Sequence, residues 1–278
     1  MRSRRLAILG GLLFAVVACG KPPVEARPAL WRVSDGDTTI WLLGSIHLLP
    51  ANVRWRTPII ERAIREADTL VLESPPDDRA DFRALAEGIG LQPADQRVSP
   101  GKRSILDAMI VRSGIDRATL DHYKDWALAA TLAAGDATAS GGETKYGVEA
   151  QLADAFDRTG KTRTAFYREK DQLLLLDSLS PTLQREMLEN TLSGKENYGE
   201  TLKAWETGDI ASLERGATCS PLDGKLVGQP NDYWSRWIAG RMAKPGNVLV
   251  AVGLGHMVGP YALPKLLATR GLKVERVQ

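Results

Sequence analysis

Two histidines lie in matching sequence contexts, each three residues after a glycine that closes an apolar run. His47 follows Gly44, and His256 follows Gly253. A third apolar run ends in Glu73. Two imidazoles and one carboxylate can bind a divalent ion while leaving a position for water. Such an ion lowers the pKa of its bound water and polarises a carbonyl group, as the hydrolysis of an amide bond requires.

Other residues near these histidines have predicted roles. Gly44, Gly253 and Gly255 are expected to shape the turns, because glycine permits tight turns and close backbone approach. Glu149, at the start of a predicted helix, is a further candidate for catalysis as a general base. It could instead only complement the positive end of that helix. The remaining histidine, His122, lies in a polar stretch and is predicted to be solvated.

The first histidine follows two strands that the sequence predicts as a hairpin. Residues 29–33 and 38–43 are β-prone runs separated by a segment containing Asp35-Gly36, a strong hairpin signal. Thr57-Pro58 predicts the start of a helix, with threonine as the N-cap and proline in the first position. Residues 69–73 then predict a buried strand. Residues 29–73 are therefore predicted to form a strand–helix–strand unit.

The elements around the second histidine, His256, are predicted in the same order. Residues 247–252 predict a strand, 263–269 a helix and 272–277 a final strand. Two such βαβ-like halves are expected to form one central mixed sheet flanked by helices, in an α/β fold. The carboxyl ends of strands in open α/β sheets share one edge, so His47, Glu73 and His256 are predicted to converge there. Each histidine could instead only bond a carbonyl, and Glu73 could cap a helix.

The middle of the chain is predicted to be a helical cap and not part of the sheet. Residues 77–144 alternate amphipathic stretches with Gly and Pro breaks, and 137–142 are expected to be a mobile loop. A helix over 148–158 and a strand over 163–167 follow. Residues 170–208 are again helical in pattern, with a break at Ser180-Pro181.

The N-terminus has the features of an exported lipoprotein. Residues 1–18 combine arginines with an uncharged run of residues 6–17, which is shorter than the roughly 20 residues that a spanning helix needs. Small residues then lead into Cys19, the predicted site of lipidation, and 19–28 are expected to be a tether. The domain at 29–278 would be anchored in the cell envelope, facing the periplasm or the surface. A plain signal peptide with an incidental cysteine is the alternative.

Charge and cysteine usage restrict the partners. The net charge is +2, and cleavage of the leader with its three arginines brings it to −1. A near-neutral domain has no electrostatic footprint for nucleic acid. Cys219 is the only cysteine besides Cys19, so no disulfide framework is expected.

These motifs resemble the TraB/PrgY/GumN family, which also contains the TIKI-type peptidases. Residues 31–50, with the hairpin and the first histidine, resemble the opening of those proteins. The segments 67–73, 147–149, 160–161, 205–210 and 246–259 follow in family order. The resemblance covers residues 31–277; it is specific at both ends and loose in the helical middle.

The resemblance implies a TIKI-like fold, related to the erythromycin esterase and ChaN group, with helices around a central sheet. It also implies metal-dependent peptidase or amidase chemistry at His47, His256 and Glu73. The ion would be Mn, Co or Zn, and the partner a peptide or protein substrate.

Two departures from the family pattern bear on catalysis. Tyr167 stands where the family has a glutamate, and Pro230 replaces the arginine of an Arg-Asn pair, leaving Asn231. An anchored lipoprotein that binds a peptide, haem or a metal without catalysis is therefore the alternative function.

Overall fold

The computed structural model describes residues 22–77, 80–194 and 197–278. Its strands are β1 (Val24–Glu25), β2 (Leu30–Ser34), β3 (Thr38–Ser45), β4 (Leu49–Pro50), β5 (Val53–Arg54), β6 (Thr69–Leu72), β7 (Gly142–Glu143), β8 (Thr162–Ala165), β9 (Gly246–Gly253) and β10 (Val274–Arg276). Its α-helices are α1 (Pro58–Glu66), α2 (Phe82–Ala86), α3 (Arg103–Ser113), α4 (Arg117–Asp121), α5 (Asp125–Ala139), α6 (Val148–Arg158), α7 (Glu169–Asp177), α8 (Pro181–Leu192), α9 (Tyr198–Thr207), α10 (Ile210–Glu214), α11 (Pro221–Asp223), α12 (Gln229–Arg241) and α13 (Leu263–Thr269).

The main sheet has six strands in the order β10-β2-β3-β9-β6-β8. The four strands β3, β9, β6 and β8 are parallel, whereas β2 is antiparallel to both of its neighbours. Core residues cover both faces of the sheet: Trp41 and Leu43 belong to one buried cluster, and Ile40 and Leu42 to the other. The prediction of an α/β fold with a central mixed sheet flanked by helices is therefore confirmed.

The two βαβ-like units share this sheet, but they are interleaved. One unit is β3–α1–β6 and the other is β9–α13–β10. Strand β9 lies between β3 and β6, and β10 lies beyond the hairpin at the opposite edge. The strand that leads to His256 is therefore central, with the strand before His47 on one side and the strand before Glu73 on the other.

Local sequence signals account for the first elements. In the hairpin, the Asp35 carboxylate accepts hydrogen bonds from the backbone N–H groups of Asp37 and Thr38, which fixes the turn. Helix α1 begins as expected, since the Thr57 hydroxyl accepts from the Ile60 N–H and Pro58 occupies the first turn.

The middle of the chain is helical, but one predicted loop is wrong. Helix α5 continues to Ala139, and Gly142–Glu143 pairs with Leu49–Pro50 as a short antiparallel ladder. Ala137 is buried, so the helix continues where the small residues had indicated a mobile loop. The cap has its own apolar core around Leu106, Trp126 and Leu188.

The predicted tether is shorter than expected. Val24–Glu25 pairs in parallel with Val53–Arg54, and Ala26 belongs to the main core. These residues are part of the folded domain, because the partner strand supplies hydrogen bonds and Ala26 is covered. Residues 1–21, with the predicted signal peptide and Cys19, lie outside the described residues. In the part that is described, we find no helix with the length and apolar character to cross a membrane.

Candidate active site

The carboxyl ends of three parallel strands place the candidate residues at one edge of the sheet. His47 follows β3, Glu73 follows β6, and His256 lies in a 3-10 turn, Leu254–Met257, directly after β9. Glu149 lies in the first turn of α6. The structure brings all four side chains together in the lining of one cavity of about 800 Å³.

Asn231 of helix α12 fixes the orientation of the His256 ring. Its side-chain Nδ2 donates to the carbonyl oxygens of His256 (2.9 Å) and Tyr261 (2.7 Å). Its Oδ1 therefore remains the acceptor for Nδ1 of His256, at 2.8 Å. In the neutral ring, Nδ1 then carries the hydrogen and Nε2 keeps its lone pair. In the sequence, Asn231 is marked only by the family pattern, in which an arginine precedes the asparagine and Pro230 stands here instead.

The lone pair of His256 faces a carboxylate. Nε2 lies 3.7 Å from Oε1 of Glu73. Glu73 is held in place by the side-chain N–H of Gln172, which donates to Oε1 at 2.6 Å, and by the Gly253 N–H, which donates to Oε2 at 2.9 Å. Burial lowers the pKa of His256, with the nearby Glu73 charge opposing it. Two acceptors thus face each other, an arrangement that a cation between them would stabilise.

His47 has a different partner. Its Nδ1 lies 2.9 Å from Oε1 of Glu149, and the same oxygen accepts from the Ser45 hydroxyl. The negative charge of Glu149 raises the pKa of His47 to about 9, although the loss of some solvent around the ring inside the cavity opposes this. Burial acts to raise the pKa of Glu149, but the charge and hydrogen bond of His47 and the Ser45 hydroxyl outweigh it and hold the pKa below its ordinary value.

The His47–Glu149 pair is buried on the carboxylate side only. The His47 side chain is 60% exposed within the cavity, whereas that of Glu149 is 6% exposed. Oε2 of Glu149 is buried and has no hydrogen-bond partner. The imidazole is therefore open to a ligand, and Glu149 is fixed behind it.

Glycines position these turns by close approach. A Cβ on Gly44 would lie 3.0 Å from Leu254 Cδ1, and one on Gly253 would lie 3.2 Å from Glu73 Oε2. Gly255 lies in the 3-10 turn Leu254–Met257, but it has an ordinary φ and a Cβ there would meet nothing within 4 Å, so neither space nor backbone conformation requires glycine at this position. Gly147 was missed: its Cβ would lie 2.0 Å from the His47 carbonyl oxygen. Its sequence signals are its position directly before helix α6 and its place in the family-like segment 147–149.

The donor set suits a divalent ion, but the candidate ligands form two pairs, His256 with Glu73 and His47 with Glu149. Across residues 22–77, 80–194 and 197–278, no three His, Cys, Asp or Glu side chains lie close enough to hold one ion as they stand. Metal bonds of about 2.0–2.2 Å put two ligand atoms roughly 3–4 Å apart. His256 and Glu73 meet that spacing. Their orienting partners, Asn231 and Gln172, match the outer contacts that metal ligands have.

Two positions that depart from the family pattern also line the cavity. Tyr167 follows β8, and its backbone N–H donates to the Glu73 carbonyl at 3.0 Å. Burial raises the pKa of the Tyr167 hydroxyl, so this position supplies a neutral phenol where a glutamate would supply a charge. Pro230 lines the cavity beside Asn231. His122 lies apart from the site, at the end of α4, and is exposed as predicted.

Comparison with known proteins identifies the family. The model of the TraB/PrgY/gumN family matches residues 29–276. The uncharacterized protein YbaP of Escherichia coli (strain K12) is 24% identical over 249 residues, which cover 86% of this chain and 92% of the relative. YbaP of Shigella flexneri matches with the same identity and coverage. No solved structure matches the chain significantly. Since the family match spans both Gly-x-x-His segments and the sheet that positions them, the chain belongs to the TraB/PrgY/gumN family.

Proposed function

We propose that this protein is a metal-dependent hydrolase of peptide or amide bonds, with His256, Glu73 and His47 as the ligands of a divalent ion. The observation that carries the proposal is the 3.7 Å approach of the His256 Nε2 lone pair to the Glu73 carboxylate. Both atoms are electron-rich, and the Asn231 hydrogen bond prevents the ring from presenting its N–H instead. A cation is the simplest occupant for the space between them.

The protein's own residues would orient this site before a substrate arrives. Asn231 sets the tautomer of His256, and Gln172 holds Glu73. Glu149 orients His47 through its Nδ1. When bound, a divalent ion supplies an acidic water and polarises the scissile carbonyl group. His47 is the third candidate ligand, since its side chain is largely exposed within the same cavity while Glu149 holds its Nδ1.

Metal titration of the purified domain tests the proposal. Wild type should bind one Mn²⁺, Co²⁺ or Zn²⁺ per chain in calorimetry, and His47→Ala and His256→Ala should each abolish binding. His122→Ala is the matched control, because this histidine is exposed and outside the cavity. Cleavage of a peptide library should depend on the metal and disappear in the same two variants. Metal-dependent cleavage that survives in both variants would exclude this site.

A binding protein without catalysis is the second candidate. Tyr167 favours it, since it supplies a neutral phenol in the cavity at a position where family members have an acid. Stoichiometric binding of a peptide, haem or a metal, together with no cleavage of any library peptide, would support this function over hydrolysis.

We also propose that the protein is exported and held in the cell envelope by a lipid on Cys19. The support is the uncharged run 6–17 and the small residues before the cysteine. Cys19→Ala should leave the precursor unprocessed or release the domain from membranes. A wild-type protein that mass spectrometry finds without lipid, together with a variant that still fractionates with membranes at its original size, would contradict the anchor.

A further inference from the structure

Helix α7 carries four consecutive leucines, and the fold buries none of its residues. The helix spans Glu169–Asp177, and Leu173–176 form its apolar part. Leu174 is 42% exposed on the outside. Leu173, Leu175 and Leu176 line the cavity that contains the site. These three side chains are half-buried, and Leu173 and Leu176 also pack against the apolar core of the cap. The apolar surface that they leave uncovered faces a concave site, which is where ligands bind.

Helix α5 contributes small side chains to the lining of the same cavity. Ala130, Thr131, Ala134 and Thr138 line it and recur at helical spacing, so they share one face of the helix. Short side chains on this face leave space in front of the leucines. Phe82 and Ile115 extend the apolar lining away from the histidines.

Helix α7 also reaches the candidate active site. Gln172, directly before the leucines, donates to Oε1 of Glu73 at 2.6 Å. Leu175 and Leu176 follow Gln172 by three and four positions, so they lie on its side of α7. A ligand that packs against them would therefore lie beside Glu73 and His256. The apolar region and the polar site are continuous within one cavity of about 800 Å³, a volume that can hold more than one residue of a peptide.

We propose that the space between α5 and α7 binds an apolar side chain of the substrate peptide, and so selects peptides with a large aliphatic or aromatic residue next to the reacting bond. This assignment deepens the proposed hydrolase function and rests on it for the meaning of the reacting bond. The binding preference itself can be measured without any cleavage.

The test uses His256→Ala protein, so that bound peptide stays intact. Acetylated and amidated pentapeptides with Leu, Ser or Asp at the centre and Ala elsewhere are titrated and followed by NMR chemical shifts, which report weak binding. The Leu peptide should bind roughly tenfold more tightly than the Ser peptide, since burial of a Leu side chain is worth that much or more. Leu175→Asn should remove about tenfold of that affinity.

Leu174→Asn is the matched control, since Leu174 neighbours Leu175 on the same helix and does not line the cavity.

Ala134→Phe, which fills the space from the α5 side, should lower Leu-peptide affinity without altering the unfolding temperature appreciably. Equal affinities for the three peptides, or an equal loss in the two leucine variants, would overturn the proposal.

The outcomes separate the two proposals. If wild type binds no metal and cleaves nothing, but the Leu preference depends on Leu175, the hydrolase function fails and the apolar site stands. If metal-dependent cleavage occurs with no preference for apolar residues, the apolar site fails and the hydrolase function stands.

Discussion

His47 and His256 share a local sequence pattern but have opposite preferences for the proton. The Nδ1 of His47 meets the Glu149 carboxylate, which raises its pKa to about 9. The Nδ1 of His256 meets the neutral amide of Asn231, and burial lowers its pKa. The difference arises from the side chain that contacts Nδ1 of each ring, because an anion stabilises imidazolium and a buried amide does not.

Replacement of Glu149 tests this explanation in the metal-free protein. In Glu149→Gln, the main cause of the raised pKa is gone, so the pKa of His47 should fall from about 9 to near or below its ordinary 6.5. NMR titration of the ring protons measures it. Glu143→Gln, whose carboxylate pairs with Lys145 on the surface, is the control and should leave the His47 titration unchanged.

The same pair makes stability depend on pH. The raised pKa of His47 means that its contribution is complete below about 6.5 and is lost as the pH rises through about 9. The lowered pKa of Glu149 means that its contribution is present above 4.5 and is lost as the pH falls below that value. Glu149→Gln should therefore flatten the alkaline loss of stability between pH 6.5 and 9. An unchanged His47 titration would show that another group raises its pKa.

Glu149 also has a predicted catalytic role. If it accepts the proton of the attacking water, Glu149→Gln should spare metal binding and lower turnover by roughly 10²-fold or more. If it only orients His47, metal affinity and turnover should fall together. The contact with Nδ1 of His47 favours orientation, and so does the burial of the unpartnered Oε2, which would have to become accessible to water before it could act as a base.

At the scale of elements, the junction between β3 and α6 is the tightest part of the site. Gly147 precedes helix α6, and a Cβ there would lie 2.0 Å from the His47 carbonyl oxygen, so the backbone would have to move. Gly147→Ala should destabilise the protein by about 1–3 kcal/mol, as overpacking does, and should weaken metal binding. Thermal unfolding and metal titration measure the two effects.

Gly240 provides the control for that prediction. It lies within helix α12, and a Cβ there would meet nothing within 4 Å. Gly240→Ala should therefore stabilise the protein by about 0.5–1 kcal/mol, through the lower entropy of the unfolded chain. A Gly147→Ala variant as stable as Gly240→Ala would show that α6 can shift freely relative to His47.

Elements with their own boundary signals were predictable from sequence, and those without them were not. Helix α6 and helix α13 begin and end where the apolar spacing and glycines indicated, and α1 follows its Thr57-Pro58 signal. The strands β1 and β7 have two residues each, too few for a periodic pattern. They exist because distant segments, Val53–Arg54 and Leu49–Pro50, pair with them.

For the whole molecule, the sequence predicted which strand ends would meet but not how the site is supported. Parallel strands with a histidine or glutamate after each one determine the shared edge. Asn231 and Gln172 reach that edge only because α12 and α7 pack beside it. Gln172 lies in no motif, and Asn231 is marked only by the Arg-Asn pair of the family pattern. The interleaved strand order could not be predicted either. The two units have similar sequence patterns, and these patterns do not indicate that β9 lies between β3 and β6.

That strand order determines when, during synthesis, the residues of the candidate site can come together. β9 pairs with β3 on one side and β6 on the other, so Thr38 meets Gly246, about 200 positions later in the chain. During synthesis the hairpin and the β6–β8 pair can form early, but among the described strands only β9 pairs with both, so they become one sheet when β9 inserts. The same strand leads to His256. A partly made chain therefore has neither a continuous sheet nor a complete candidate site, and both form only when the last part of the domain is in place.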